Sequence, residues 1–317
     1  MTQQTLAQTR VVDPILSEHA RGYRRPGNVG RALFPLAPVS AYAGQIIEFG
    51  KEGFRLYGTK RAPGANTKRI EFGYAGKPYA IVPRALEAKV PWERMRDASV
   101  VPGIDLASRA TNLVLGAMEL EQEYEAAQIA TNAANFDNDH KVTLTGANSF
   151  NVATVNPIKV IQTARTAVGD SIGVDANTIV FSGSAWNAFE MNPFVVARLN
   201  ALQRDVLTTE LAARLLGVDR IEVGKAKVAG GQNDQFAAIW GNDVVVAYVA
   251  PEVGGNNNAE EPSFGYTYAI EGMPSVEEPY QDRNARSWIY QVANDAAPQL
   301  TGMTAGYLIK GAGLAAT

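Results

Sequence analysis

The first 44 residues combine basic side chains with many prolines and glycines, and this pattern constrains the fold more than any other feature of the chain. Prolines lack a backbone donor and glycines lose much entropy on folding, so we expect no regular structure here beyond a short helix near Pro14. Leu33 and Phe34 are nevertheless apolar and favour burial. A segment this long without regular structure is unusual inside a compact domain. We therefore predict that residues 1–44 form an arm that becomes ordered by lying on a partner.

The next segment has the pattern of two long strands. Residues 45–57 and 68–82 alternate apolar and polar side chains on either side of a turn-rich stretch at 58–67. A two-stranded ribbon of this kind reaches about 40 Å and is marginally stable by itself. We predict an extended hairpin over residues 45–82. It needs a surface to lie on, which is either the body of its own chain or an adjacent copy.

The strongest helical pattern follows a proline-punctuated, extended stretch at 83–102. Asp105 can cap this helix, and apolar residues then recur in steps of four and three until about Asn135. This apolar seam consists of Leu106, Ala110, Leu113, Ala117, Leu120, Tyr124 and Ala127. A helix of this length measures about 45 Å. Its alanines predict close packing of the seam against a sheet or another helix, with a coiled-coil dimer as the alternative.

Helix and strand patterns alternate over residues 156–261, which is typical of an α/β domain. The predicted helices begin at Pro157, Ser184 and Thr209, the last ended by Gly217, and the predicted strands are 178–181, 220–228 and 244–249. Three further strands, at 266–270, 287–293 and 305–309, are expected to return to the lobe that contains the long helix. The prediction is therefore an α+β fold with two lobes.

The composition argues against catalysis. There is no cysteine, and the two histidines, His19 and His140, lie far apart in the sequence. Disulfides and thiolate sites are thereby excluded, and acid–base chemistry near neutral pH has few candidates. The glycines of 311–316 match a dinucleotide motif but precede no helix, so we reject that site. Residues 137–140 offer two carboxylates and an imidazole, for which a solvated turn and a bound cation are the alternatives. We expect no catalytic, cofactor or metal site.

The formal net charge of −3 conceals an asymmetry, because residues 1–96 carry +9 and the remainder carries −12. One interpretation is that these are the solvated faces of two lobes. The other is that a basic extension lies across an acidic body, its own or a neighbour's. Paired basic residues at 24–25, 60–61 and 68–69 would also suit nucleic acid, but the acidic balance of the whole chain argues against a dedicated DNA-binding protein.

In this order, the parts resemble the major capsid protein of tailed double-stranded-DNA bacteriophages, which has the Hong Kong 97-type fold. The runs that carry the resemblance in the α/β region are Leu215–Val223 and Ile239–Tyr248, and those near the end are Arg286–Tyr290 and Tyr307–Lys310. The resemblance divides the chain into an N-terminal arm (1–44), an extended loop (45–82), a peripheral domain (83–155 and 262–317) with a spine helix at about 105–135, and an α/β axial domain (156–261).

The resemblance implies a structural protein rather than an enzyme. It would assemble as hexamers and pentamers into an icosahedral shell around DNA, with its extended loop over a neighbouring subunit. The implied partners are a separate scaffolding protein, a portal, a decoration protein and, by non-specific contact, packaged DNA. The chain would be assembled in the host cytoplasm and reside in the virion. Alternatives are a shell protein of an encapsulin-like bacterial nanocompartment and, from a different class, an α/β enzyme.

Contacts between subunits are expected from the basic and aromatic residues of the two extensions. The predicted contact residues are Arg21, Arg24, Arg25, Arg31, Phe34, Phe54, Lys60, Arg61, Lys68, Arg69 and Phe72. One branch of the resembled family cross-links lysine to asparagine. No partner asparagine can be named for the lysines of residues 45–82, so we expect these contacts to be non-covalent.

Overall fold

The computed structural model describes residues 12–47, 59–61, 69, 76–99, 105–201, 206–230, 235–251, 261 and 263–315. The helices in these ranges are α1 (Pro14–Gly22), α2 (Gly30–Leu33), α3 (Trp92–Ser99), α4 (Leu106–Ala130), α5 (Pro157–Ile172), α6 (Gly183–Met191), α7 (Pro193–Ala201) and α8 (Thr209–Leu216). None of them combines the length and the apolar character that crossing a membrane would require.

The strands of the described residues form five sheets of two to five strands. They are β1 (Leu36–Val39), β2 (Ala43–Ile47), β3 (Gly76–Ala80), β4 (Ala85–Pro91), β5 (Lys141–Thr143), β6 (Thr178–Ser182), β7 (Arg220–Gly224), β8 (Lys227–Gly230), β9 (Gln235–Ala238), β10 (Val244–Ala247), β11 (Gly265–Ile270), β12 (Ser275–Val276), β13 (Tyr280–Asp282), β14 (Ser287–Ala293), β15 (Ala296–Leu300) and β16 (Gly306–Lys310). The strand predicted at 220–228 is thus divided into β7 and the start of β8, which pairs with β9.

A five-stranded sheet in the order β5-β16-β10-β6-β7 forms the centre of the α/β region. Every residue of β6 and β10 is buried, as expected for strands that are covered on both faces. Phe181 and Val244 point into a core with α5 to α8, whereas Val180 and Val245 face a second core that includes the end of α4. The sheet therefore joins the α/β helices to the long helix.

The last strand, β16, corrects the predicted domain assignment. It pairs antiparallel with β10 and parallel with β5, so it belongs to the central α/β sheet and not to the sheets beside the long helix. Strand β5, predicted to lie in the other lobe, joins the same sheet. Periodicity identifies a strand, but it carries no information on which sheet the strand joins.

The long helix, α4, begins where the sequence predicts. The side chain of Asp105 accepts hydrogen bonds from the backbone of Ala107 and Ser108, at 3.0 and 3.3 Å. The helix ends at Ala130, earlier than predicted, and a 3₁₀ turn at Ala133–Asn135 follows it. Its 25 residues extend about 37 Å.

The buried face of α4 coincides with the predicted seam only in part. Leu113 is 72 % exposed and Tyr124 is 44 % exposed, whereas Val114, Leu115 and Met118 are buried against α1 and strands β12 and β14. Two members of the predicted seam, Ala110 and Ala127, are nevertheless buried, and Leu106 and Leu120 are half-buried. The four–three spacing of the sequence therefore lies along the edge of the buried face and includes both covered and outward side chains. The outward face of the helix thus carries exposed apolar side chains at Leu113, Ala117 and Tyr124.

Strand β4 lies beside β14 over its full length, from Ser287 opposite Pro91 to Ala293 opposite Ala85. This antiparallel pair, with β12 and β13, forms the sheet on which α4 packs. Helix α3 follows directly, although residues 83–102 were predicted to be extended throughout. The prolines of this stretch precede and follow the helix without interrupting it, which is compatible with helical structure between them.

The arm is largely part of its own chain's body. Asp13 caps α1, which begins at Pro14 as predicted, but α2 and β1 follow, and β1 pairs in parallel with β11. Phe34 is fully buried and its ring lies 5.5 Å from that of Phe264. A β-carbon at residue 265 would lie 2.4 Å from the Phe34 ring, so glycine is required there. The prediction that the whole arm needs a partner is therefore wrong for residues 14–39. The prediction that Phe34 contacts a neighbouring subunit is also wrong, because its side chain is buried within its own chain.

Replacement of Phe34 by alanine should destabilise the unassembled subunit by about 3–5 kcal/mol, because it removes a fully buried aromatic side chain. Leu36→Ala is the matched control, since Leu36 is 41 % exposed and should cost less than about 1 kcal/mol. Urea denaturation followed by tryptophan fluorescence measures both. Equal losses for the two variants would show that the arm does not contribute to the core.

Candidate functional site

Two carboxylates of α4 hold the arm. The first, Glu123, accepts hydrogen bonds from the backbone N–H of Val29 at 2.9 Å and of Gly30 at 2.8 Å. The indole N–H of Trp240 donates to the same carboxylate at 2.7 Å. Glu123 and Trp240 are both buried. One side chain thus connects the arm, the long helix and the α/β region, and we call this set of contacts the arm anchor.

Glu119, one helical turn earlier, completes the arm anchor. It accepts from the backbone N–H of Arg25 at 2.6 Å and forms an ion pair with Arg31 at 3.4 Å. The Arg25 guanidinium donates to the carbonyl of Gly116 at 2.9 Å. Two of the arginines predicted to contact neighbouring subunits are therefore engaged within their own chain.

The arm anchor shifts the titration of its members. Burial raises the pKa of Glu123 above the usual glutamate value; N–H groups of Val29, Trp240 and Gly30 oppose this rise, and the Glu119 charge adds to it. Burial lowers the pKa of Arg31, and Arg24 adds to this effect against the attraction of Glu119 and Glu123. The backbone of the arm approaches α4 closely at Gly30. A β-carbon at this position would lie 2.9 Å from the Glu123 carboxylate, so a side chain there would force the two apart.

The base of the predicted hairpin is the pair β2–β3, in which Ala43 lies opposite Ala80 and Ile47 opposite Gly76. The Tyr79 ring stacks on Tyr268 at 4.7 Å, with an angle of 8° between the planes. This contact places β3 on the sheet formed by β1, β11 and β15. The orientation of the hairpin base is therefore set by the body of its own chain.

Asp295 fixes both flanks of the hairpin base. Its buried carboxylate accepts from the hydroxyl of Tyr42 and from the backbone N–H of Arg84, each at 2.8 Å. The Arg84 guanidinium in turn donates two hydrogen bonds to Glu125 of α4, at 2.8 and 2.9 Å. Hydrogen bonding to Glu125 raises the pKa of Arg84. The segments that enter and leave the hairpin are thus tied to the same body.

The remaining predicted contact residues fall into two groups. Arg21, Arg24, Lys60, Arg61 and Arg69 are exposed on the described surface. Phe54, Lys68 and Phe72 lie outside the described residues. The contacts of the exposed group with a neighbouring subunit stay a prediction.

The turn after α4 has a structural explanation. The His140 ring is buried, with Nδ1 at 2.6 Å from Asp137 Oδ1 and Nε2 at 2.8 Å from the Ser171 hydroxyl. Burial by itself would raise the pKa of Asp137. Hydrogen bonding to His140 and the charge of the His140 ring outweigh this effect and lower the pKa below its usual value. Over the part of the chain that the structure describes, no cluster of three or more histidine, cysteine or acidic residues is arranged to hold a metal ion.

Sequence reasoning did not identify Glu119, Glu123 or Asp295 as functional residues. The only available signal was the spacing of four between the two glutamates of α4. That spacing also suits solvent-exposed residues on one helix face. Recognition of the arm anchor required knowledge of which face of α4 is buried.

Glu123→Ala should destabilise the subunit by about 3 kcal/mol, because it leaves three N–H donors in a buried site without their acceptor. Its control is Glu121→Ala on the exposed side of the same helix, 3.9 Å from Arg84, with an expected loss below about 1 kcal/mol. Limited trypsin digestion should cleave Glu123→Ala faster after Arg31, which is followed by Ala32. An unchanged digestion pattern and a loss equal to that of the control would contradict the anchor.

The sequence is similar to major capsid proteins of two phages. It is 30 % identical over 308 residues to the major capsid protein of Burkholderia phage BcepMu, covering 96 % of this chain and 98 % of that protein. It is 23 % identical over 238 residues to the major capsid protein of Pseudomonas phage JBD67, covering 73 % of this chain and 74 % of that protein. No family model matches the sequence.

Solved structures agree with this relationship. A phage-related protein from Bordetella bronchiseptica superimposes with a TM-score of 0.85 at 52 % identity, over 97 % of this chain and 99 % of that one. The capsid structure of the cyanophage P-SCSP1u matches with a TM-score of 0.54 at 11 % identity, over 91 % of this chain and 89 % of that one, which concerns the fold alone. The chain belongs to the phage major capsid proteins, and its fold is of the Hong Kong 97 type.

Proposed function

We propose that this capsid subunit assembles as hexamers and pentamers into an icosahedral head that encloses double-stranded DNA. The observation that carries the proposal is the 30 % identity to a phage major capsid protein over 96 % of the chain. The hairpin base, anchored on its own body, supports a role in which residues 45–82 project toward a neighbour. A shell of many identical contacts can be stable even if each contact is modest, because closure adds them together.

The exposed basic residues are proposed to set the register between subunits. Lys60, Arg61 and Arg69 belong to the hairpin, and Arg21 and Arg24 belong to the arm. The part of the chain after residue 96 carries −12 and offers a complementary surface. Exposed ion pairs contribute only about 0–1 kcal/mol each, so they steer and align subunits more than they hold them. Phe54, Lys68 and Phe72 are proposed to contribute to the same contact.

The proposed partners are those of a head that is built around DNA. They are a separate scaffolding protein, a portal, a decoration protein and the packaged DNA, which would be contacted without sequence preference. Assembly would occur in the host cytoplasm, and the mature chain would reside in the virion. The curated relatives are structural proteins by name, which supports the further proposal that this chain is not an enzyme.

Electron microscopy of the chain co-expressed with the scaffolding protein of its phage tests the proposal. The wild-type chain should give closed icosahedral particles. Lys60→Glu combined with Arg61→Glu should give folded subunits with at least about tenfold fewer closed particles, because the charge of the hairpin tip is reversed. Persistent wild-type monomers in the presence of scaffold would contradict the shell function itself.

The matched control reverses two exposed lysines outside the extensions, Lys225→Glu with Lys227→Glu. It changes the net charge by the same amount and should leave particle closure close to that of the wild type. Circular dichroism verifies that both double variants are folded. Equal particle yields from the two variants would show that the hairpin charges do not set the register.

A further inference from the structure

An open groove runs along the N-terminal half of α4, between the helix and β4. Its volume is about 720 Å³. The helix contributes residues from Leu106 to Leu120, a distance of about 21 Å. Residues 88–91 of β4 form the other side, and Arg94 of α3 and Tyr23 and Arg25 of the arm also line it. The groove is long enough for about four turns of a helix.

The helix side of this groove is apolar, and the body of the chain covers it only in part. Leu113, which is 72 % exposed, lies at its middle, and Ala117 beside it is also exposed. Leu106 and Leu120, on the same face, are half-buried against the cores of their own chain. Isolated exposed apolar residues are normal on protein surfaces. Apolar residues at helical spacing that line a concave surface, with exposed members at its middle, are instead typical of a site that receives another helix.

The rim of the groove is basic. Lys89, Arg94 and Arg109 line it, and within the described ranges none of the three forms an ion pair or a side-chain hydrogen bond. The fourth basic residue, Arg25, is engaged by the carbonyl of Gly116. No aspartate or glutamate is among the described residues that line the groove. Its charge therefore favours an acidic partner.

We propose that this groove binds an amphipathic helix with acidic flanks that is supplied by a second kind of protein. Apolar side chains of the partner, spaced three and four residues apart, would cover Leu113 and its neighbours. Carboxylates beside them would meet Lys89, Arg94 and Arg109. This binding is distinct from the shell function, because it joins one subunit to a different protein and does not join copies of the chain to one another.

The hairpin of a neighbouring copy does not have this chemistry. Residues 45–82 contain seven lysines and arginines against three glutamates. Like charges would oppose docking of such a segment on a basic rim.

The described helices of a second copy do not have it either. Apart from α4, each carries at most two carboxylates. The four glutamates in the second half of α4 are engaged within their own chain. Glu119 and Glu123 hold the arm, and Glu121 and Glu125 lie beside Arg84. Among the described helices, charge and hydrogen bonding thus favour a partner other than this chain.

Fluorescence anisotropy with the full-length, unassembled chain tests the proposal. The probe is a labelled peptide of about 18 residues, so that its helix spans about 27 Å, with leucines spaced three and four apart and glutamates elsewhere. Two control peptides have lysine in place of glutamate, or the same residues in scrambled order. The acidic amphipathic peptide should bind at least about tenfold more tightly than either control.

Variants of the groove locate the binding. Leu113→Asp, and Arg94→Ala combined with Arg109→Ala, should each weaken binding at least about tenfold. Met191→Asp is the control, because Met191 is an apolar residue of α6 that is 80 % exposed and lies away from the groove lining. Equal binding by all variants, equal binding of the lysine peptide or the scrambled peptide, or no binding at all would overturn the proposal.

A cross-linking experiment identifies the occupant. The chain has no cysteine, so Leu113→Cys offers a single thiol for a benzophenone label. Light should attach the label to the acidic peptide, and excess unlabelled peptide should prevent it. If assembled preparations instead yield cross-links between two copies of the chain, the occupant is a second copy and the proposal is wrong. Electron microscopy of the same preparation reports shell closure separately.

Discussion

The burial of one carboxylate, that of Glu123, holds three parts of this subunit together. A buried charge is tolerated only where hydrogen bonds replace the water that it loses. Here the donors come from the arm and from Trp240 of the α/β region, while the carboxylate itself belongs to the long helix. If the arm left, Glu123 would lose the two backbone donors of Val29 and Gly30. The attachment of the arm to the long helix and to the α/β region therefore depends on this contact.

The arm anchor is connected to the hairpin base through a series of contacts. Strand β1 follows the anchored arm and pairs with β11, whose Tyr268 receives the ring of Tyr79 at the hairpin base. Asp295 then binds both flanks of the base. The base of the hairpin is thus held on the body of its own chain by these contacts. A projecting segment can make a specific contact with a neighbour only when its starting direction is defined, since flexibility would add to the entropic cost of binding.

The basic residues of the N-terminal region divide into two sets by burial. Arg25 and Arg31 are partly buried and contact the anchor helix, where they contribute to the fold of the subunit. Arg21 and Arg24 are exposed, and their contacts within the chain are with Glu18 and with backbone carbonyls at the surface. The long helix divides in the same way, with one apolar face against its sheet and one face open in the groove. In both cases residues of the same type stabilise the fold where they are buried and lie on the surface where they are exposed. Only their position in the folded chain distinguishes the two.

The sequence by itself determined several of the local elements, because their signals are local. Asp105 and Asn156 cap helices, Gly217 ends one with a φ of 69°, and the strand 287–293 has its predicted bounds. Only the tertiary structure decided that Phe34 is a core residue, that β16 joins the α/β sheet and that Glu119 and Glu123 bind the arm. Each of these contacts joins residues that are distant in the chain. Periodicity and capping describe a segment and its immediate neighbours, whereas burial of a face or a charge depends on which distant segment covers it.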